Sequence, residues 1–266
     1  MEYALVAIVA LVAAGLTLFS GFGLGTLLLP AFAAFFPPEV AIGATAIVHF
    51  ANNCFKLVLI GRNADWRVVM RFGLPAIVAA VVGALLLGQL ASVHTPLVSY
   101  ELAGRVGTVT PIGLVVGVLI VCFAAIELHP KIKRLEINPR YLPIGGVLSG
   151  FFGGLSGHQG ALRSAFLIKS GLGRDQFVAT AAVCSAMVDF TRLSVYALGA
   201  VLAARAGQAT GITPGLIPII AVGCVCAFAG SFVGSRLVKK VTLSWLQAFV
   251  AVVLVVFGVA MAVGVL

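Results

Sequence analysis

Most of this sequence is chemically inert, so the few side chains that can do chemistry stand out by their grouping. Ser156, Gly157, His158 and Gln159 are consecutive, and Arg163 follows His158 by five residues. Arginine stays charged at any physiological pH and can hold an oxyanion through two parallel N–H donors. His158 can titrate near neutrality, or donate a hydrogen bond while neutral. Upstream, His49, Asn52, Asn53 and Lys56 stand at i, i+3, i+4 and i+7, which makes one polar stripe on a helix. Downstream, Ser185, Asp189 and Arg192 stand at i, i+4 and i+7, with Asp189 and Arg192 spaced to pair.

Each group has a plain reading and a sharper one. Arg163 either reaches the membrane interface or binds an anion. Lys56 either snorkels to the nearby loop or lines a pathway. Asn52 and Asn53 either bond neighbouring helices or contact a ligand. Asp189 and Arg192 either form a structural ion pair or share the work: Arg192 on the anion, Asp189 restraining it. His49 and Asp189 are the candidates for a coupling proton. Ionisable groups inside spanning helices are expensive and usually functional, so the sharper readings are carried forward.

The elements that must position these groups are dictated by composition. Of 266 residues, 61% are hydrophobic and 9% charged, too few polar residues to cover a soluble surface. A run of about 20 apolar residues spans the hydrocarbon core as a helix. Apolar segments lie at 3–19, 26–36, 39–60, 68–90, 106–127, 142–155, 160–170, 176–202, 214–238 and 243–266. The net charge of +9 comes largely from loops between these runs, as the positive-inside rule produces, so nucleic acid is not an expected partner. The N-terminal segment lacks a basic leader region and is expected to stay in place. The five cysteines lie within apolar segments with no Cys-x-x-Cys pair, which suits small buried hydrophobes better than a disulfide or thiol relay.

Two segment pairs are interrupted. Residues 20–25 separate the first pair and residues 156–159 the second, and each interruption opens one half of the chain. After each break comes a long helix containing Gly43-Ala44-Thr45-Ala46 or Val178-Ala179-Thr180-Ala181, then two further helices. Repeats of this kind are characteristic of secondary transporters. The expected organisation is a first repeat over 1–127, a cytoplasmic basic linker over 128–141 and a second repeat over 142–266. The fold expected is an all-α polytopic membrane protein, each repeat being a broken or re-entrant helix pair followed by three transmembrane helices.

Charge favours inverted over parallel repeats. Arg62, Arg67 and Arg71 mark one basic loop, Lys131, Lys133, Arg134 and Arg140 a second, and Arg236, Lys239 and Lys240 a third. All three face the cytoplasm only if each broken segment dips in and returns to its own side. The loop 91–105, with Glu101 and Arg105, then lies outside. Irregular backbone at membrane depth must be buried in protein or line a cavity. Helix N-termini there offer free N–H groups and partial positive charge to an anion. The candidate substrate-binding set is Gly23, Gly25, Asn52, Asn53, Lys56, Ser156, Gly157, His158, Gln159, Arg163 and Arg192, with His49 and Asp189 for coupling or ion pairing.

The runs Ser20-Gly21-Phe22-Gly23-Leu24-Gly25-Thr26-Leu27-Leu28-Leu29-Pro30 and Leu148-Ser149-Gly150-Phe151-Phe152-Gly153-Gly154-Leu155-Ser156-Gly157-His158-Gln159-Gly160-Ala161-Leu162-Arg163-Ser164-Ala165-Phe166 resemble the two repeat signatures of the TauE/SafE sulfite exporter family. The resemblance covers nearly the whole chain. It implies a transporter of sulfite, organosulfonates or related sulfur compounds in a bacterial-type inner membrane, with no ATPase of its own. Many members have a glycine triplet, then an apolar run ending in proline, in both halves. Here the second half has His158, Gln159 and Arg163 instead, and no matching proline, which implies a more polar and more basic site in that repeat.

Rival classes find less support. A metalloprotease needs a His-Glu-x-x-His pattern, which the sequence lacks. Ser156 and His158 are near each other in sequence, but that spacing alone does not make a nucleophile and base. An anion channel is the closest alternative, separable by kinetics; an intramembrane enzyme or thiol-redox carrier is further off. No cofactor is expected. The expected partners are a small anion, with protons as the candidate coupling ion, and membrane lipid.

Overall fold

In the computed structural model, residues 1–20, 24–93, 95–102, 105–128, 137–207, 215–237 and 244–265 are described. Ten α-helices occur among them. The first half contains α1 (Glu2–Ser20), α2 (Leu24–Ala33), α3 (Pro38–Ile60), α4 (Trp66–Ser92) and α5 (Pro111–Leu128). The second contains α6 (Leu142–Ser156), α7 (Gly160–Leu167), α8 (Arg174–Arg205), α9 (Leu216–Leu237) and α10 (Ser244–Ala262). Four of these helices are long and apolar enough to cross a membrane: α3, α4, α8 and α9. The chain is an all-α polytopic membrane protein with one small β-hairpin.

The helix boundaries have local causes. Pro38 opens α3, where its missing N–H removes no bond. Asp65 caps α4 by accepting from Val68 N at 3.0 Å. Gly157 ends α6 in the left-handed region, φ +84°, and its N–H returns to Gly153 O at 3.0 Å. One sequence expectation needs correction. Residues 106–110 are not the start of a helix. Val98–Leu102 (β1) and Arg105–Val109 (β2) pair antiparallel, because β-branched Val106, Thr108 and Val109 suit a ladder and the helix begins only at Pro111. Tyr100 OH donates to Val263 O at 2.7 Å, and Thr108 N to Gly264 O at 2.9 Å, tying this hairpin to the end of α10.

Small residues let helix backbones touch. A Cβ on Gly146 would lie 2.1 Å from Phe72 O, on Gly150 2.1 Å from Ala76 O, and on Gly154 2.2 Å from Ala80 O. The contact positions advance together, so α6 runs parallel to α4. On the other side, Gly230 abuts Leu11 O (2.1 Å) and Gly234 abuts Gly15 O (2.6 Å), so α9 runs parallel to α1. Gly113 lies against Met261 O and Gly117 against Gly258 O, so α5 and α10 run antiparallel. Such backbone approach is how membrane helices gain packing energy when lipid already solvates their apolar side chains.

Between these pairs, α3 and α8 pack against each other, α8 also against α4, and α3 also against α9. The polarity is that of a lipid-solvated protein. Val58, Val78, Ile217, Val225 and Phe190 are exposed, while His49, Asn52, Asn53, Gln159, Asp189 and Arg192 are buried.

Candidate functional site

The two breaks meet. A Cβ on Gly25, in the first turn of α2, would stand 3.7 Å from the carbonyl oxygen of Gly157, 3.7 Å from Thr45 Cγ2 and 3.9 Å from His49 Cδ2. Gly25 thus sits between the second break and the face of α3. Gly23 lies outside the described residues. Gly157 needs to be glycine twice over: its φ is positive, and a Cβ would come within 2.7 Å of Arg192 Nη1.

Beside the breaks, Asp189 on α8 gathers four partners. Its Oδ2 accepts from His49 Nδ1 at 2.6 Å and Asn53 Nδ2 at 3.0 Å. Its Oδ1 accepts from Gln159 Nε2 and Arg192 Nε, each at 3.1 Å. Arg192 Nη2 is 2.8 Å from the same oxygen as an ion-pair contact, without the alignment of a hydrogen bond. Asp189 and Arg192 are 0% and 1% exposed, so neither charge reaches bulk water and each needs the other. One carboxylate therefore joins α3, the second break and α8. Arg192 Nη1 also donates to Gly153 O at 3.3 Å, and Tyr196 OH to Gly154 O, fastening α8 to the glycine-rich end of α6.

The polar stripe on α3 divides between two neighbours. His49 and Asn53 face Asp189, whereas Asn52 Oδ1 accepts from Ser231 Oγ on α9 at 2.7 Å. Lys56 is also buried. Arg163 donates from Nη1 to Ser185 Oγ at 3.0 Å. His158 stacks on Phe123 of α5, ring centroids 5.6 Å apart, and its Nδ1 is 3.1 Å from Ser156 Oγ. Ser149 Oγ donates to the backbone carbonyl of Gln159 at 3.1 Å. Asp189 is the only buried carboxylate among the described residues, and two guanidinium groups, Arg163 and Arg192, stand on the helices around it.

Several buried polar atoms here have no hydrogen-bond partner: Thr45 Oγ1, Asn52 Nδ2, His158 Nε2, Gln159 Oε1 and Arg163 Nε. Native interiors seldom leave such groups unmatched, because each costs about 1–3 kcal/mol. They lie on α3, at the second break and on α7. Among the described residues no three His, Cys, Asp or Glu side chains are placed to hold a metal. The five cysteines are unbonded.

Sequence reasoning had singled out neither Thr45, Phe123, Ser149, Tyr196 nor Ser231 as a site residue. Thr45 was visible as part of the repeated Ala-Thr pair. The others carry no local signal, since each joins the site through a contact between helices distant in sequence.

No match was found among curated proteins. The family model described as sulfite exporter TauE/SafE matches residues 6–261, which includes both breaks, the long helices behind them and every side chain of the buried polar cluster. The chain is therefore a multi-pass membrane protein belonging to the sulfite exporter TauE/SafE family of transporters.

Proposed function

We propose that this protein is a secondary transporter of a small sulfur-containing anion, such as sulfite or an organosulfonate, in the inner cell membrane. The observation that carries this reading is the meeting of the two breaks beside buried, unmatched polar atoms, Arg163 Nε among them. The first N–H groups of α2 and α7 have no partners within their own helices. Both helices start at this junction, and their partial positive charge suits an anion. Arg163, with Nε unmatched, and the N–H groups at the break are the primary anion contacts. Gly23, Gly25, Ser156, Gly157, His158 and Gln159 shape the junction. Asn52, Asn53, Lys56 and Arg192 complete its walls. Asp189 holds Arg192 in place, and with His49 forms the candidate proton-coupling pair.

The proposed architecture is two inverted repeats, 1–127 and 142–266, joined by the basic linker 128–141. Helix directions support it. α6 runs with α4, and α9 with α1. α5 opposes α10; in the proposed arrangement the consecutive helices α4 and α5 reverse, as do α9 and α10. Following these relations round the molecule gives α6 the sense opposite to α1. In the same arrangement α1 and α3 run alike. Alternating access then consists of one repeat rocking against the other around a fixed midplane site.

Flux into proteoliposomes tests the reading. Sulfite, sulfate, thiosulfate, taurine and sulfoacetate compete for one saturable pathway that shows counterflow, and Arg163→Gln lowers it. A preference for cations or for solutes with no anionic group overturns the anion assignment. Flux that never saturates makes the protein a channel.

A further inference from the structure

The second break carries acceptors as well as donors, and their arrangement restricts the ligand further. Ser156 Oγ lies 3.2 Å from Phe152 O and 3.1 Å from His158 Nδ1. The hydroxyl has one hydrogen and a carbonyl only accepts. Both contacts are hydrogen bonds only if the hydroxyl donates to Phe152 and His158 donates from Nδ1. A neutral imidazole protonated on Nδ1 has a bare lone pair on Nε2. That atom is buried and has no partner.

Gln159 repeats the pattern. Its amide nitrogen donates to Asp189 Oδ1 at 3.1 Å. A carboxylate held between His49 and Arg192 accepts only, so the amide cannot be turned round. Its Oε1 is left as a second buried acceptor without a donor. Both side chains are held in place, His158 by its stack on Phe123 and Gln159 by Asp189 and by Ser149 on its backbone carbonyl. Each is at least 97% buried, at 3% and 2% exposure. An anion with only acceptor oxygens would place lone pairs against lone pairs at these two atoms. A ligand with a donor of its own would satisfy them.

We propose that the ligand is an anion carrying its own polarised O–H or N–H, which His158 Nε2 and Gln159 Oε1 accept while the basic groups of the junction hold its negative end. This rests on the anion reading above and narrows it. Two sources supply that chemistry: a protonated inorganic oxyanion such as hydrogen sulfite, or a sulfonate with an amino or hydroxyl group.

Calorimetric titration of the full chain in detergent micelles separates them. Isethionate, taurine and 1-propanesulfonate share length and sulfonate head and end in hydroxyl, ammonium or methyl; isethionate and propanesulfonate also share net charge, so that pair isolates the donor, while taurine adds a positive end. Sulfite is titrated on both sides of neutral pH, with propanesulfonate as a ligand of constant charge. Binding at least about tenfold tighter for isethionate or taurine than for propanesulfonate identifies the organic source. Sulfite affinity that falls as pH rises, while propanesulfonate affinity stays level, identifies the inorganic one. In either case His158→Phe, which keeps the ring stack, abolishes the preference. The unmodified protein alone decides the matter if that variant does not fold. Equal affinity for the three sulfonates together with pH-independent sulfite binding overturns this inference and leaves the anion reading standing. Failure of all four to bind overturns both.

Discussion

The two breaks occupy matching places in the two halves but are built from different chemistry. The first continues into α2, whose sequence LGTLLLPAFA has no charge, and its described contribution is backbone and a glycine close against Gly157. The second continues into α7, which carries Arg163, and is ringed by His158, Gln159, Asp189 and Arg192. The first is a passive wall and the second an active one. Packing follows the same division. Gly25 has only ordinary van der Waals neighbours, whereas Gly157 has a guanidinium in the space a side chain would need. In the proposed transporter a duplicated backbone provides the cradle, and divergence of one copy provides the selectivity.

The sharpest way to break this comparison is to remove the carboxylate that organises the active wall. Asp189→Ala leaves Arg192 buried without its counter-charge and should cost about 3–5 kcal/mol, seen as a large fall in melting temperature of the detergent-solubilised protein. Asp189→Ala with Arg192→Leu should recover part of that loss. A single variant that melts like the parent would show that the hub is not structural.

The glycines at the breaks come next. Gly157→Ala combines a strained φ with a clash against Arg192 and should cost about 1–3 kcal/mol. Gly25→Ala should leave the stability within about 0.5 kcal/mol of the parent. Its effect should appear in anion flux alone, because the added methyl faces the junction. Equal destabilisation by the two would remove the proposed asymmetry.

A packing control is larger than it looks from sequence. Gly150→Ala pushes a methyl into Ala76 O, which cannot move without shifting α4, and should cost about 1–3 kcal/mol. Gly43→Ala meets nothing within 4 Å and should be neutral or stabilising by about 0.5–1 kcal/mol through helix propensity. The smallest effect is expected at Ser231→Ala, which removes one interhelical hydrogen bond to Asn52 and should cost about 0.6 kcal/mol. Ser231 and Asp189 share no hydrogen-bond partner, which predicts additivity with changes at the active wall, measurable by a double-mutant cycle.

Much of this organisation is legible along the chain. Residue type and spacing alone determine the long apolar helices, the placement of both breaks, the Asp189–Arg192 pairing distance and the family to which the signatures point. Those features are local, since helix length, hydropathy and i, i+3 geometry depend only on neighbours in sequence. The hairpin at 98–109 was missed because a short apolar run reads alike as strand or helix end.

Only the tertiary structure decided which polar groups share partners. The α3 stripe looked like a single face, yet His49 and Asn53 turn to α8 while Asn52 turns to α9, because α3 is wedged between both helices. Asp189 became a four-way junction, and Gln159 and His158 became fixed acceptors, through contacts spanning up to 140 residues of sequence. Periodicity states which side of a helix is polar. It takes the packing of distant helices to state what stands opposite, and in a protein solvated by lipid that packing is governed by where glycine lets two backbones touch.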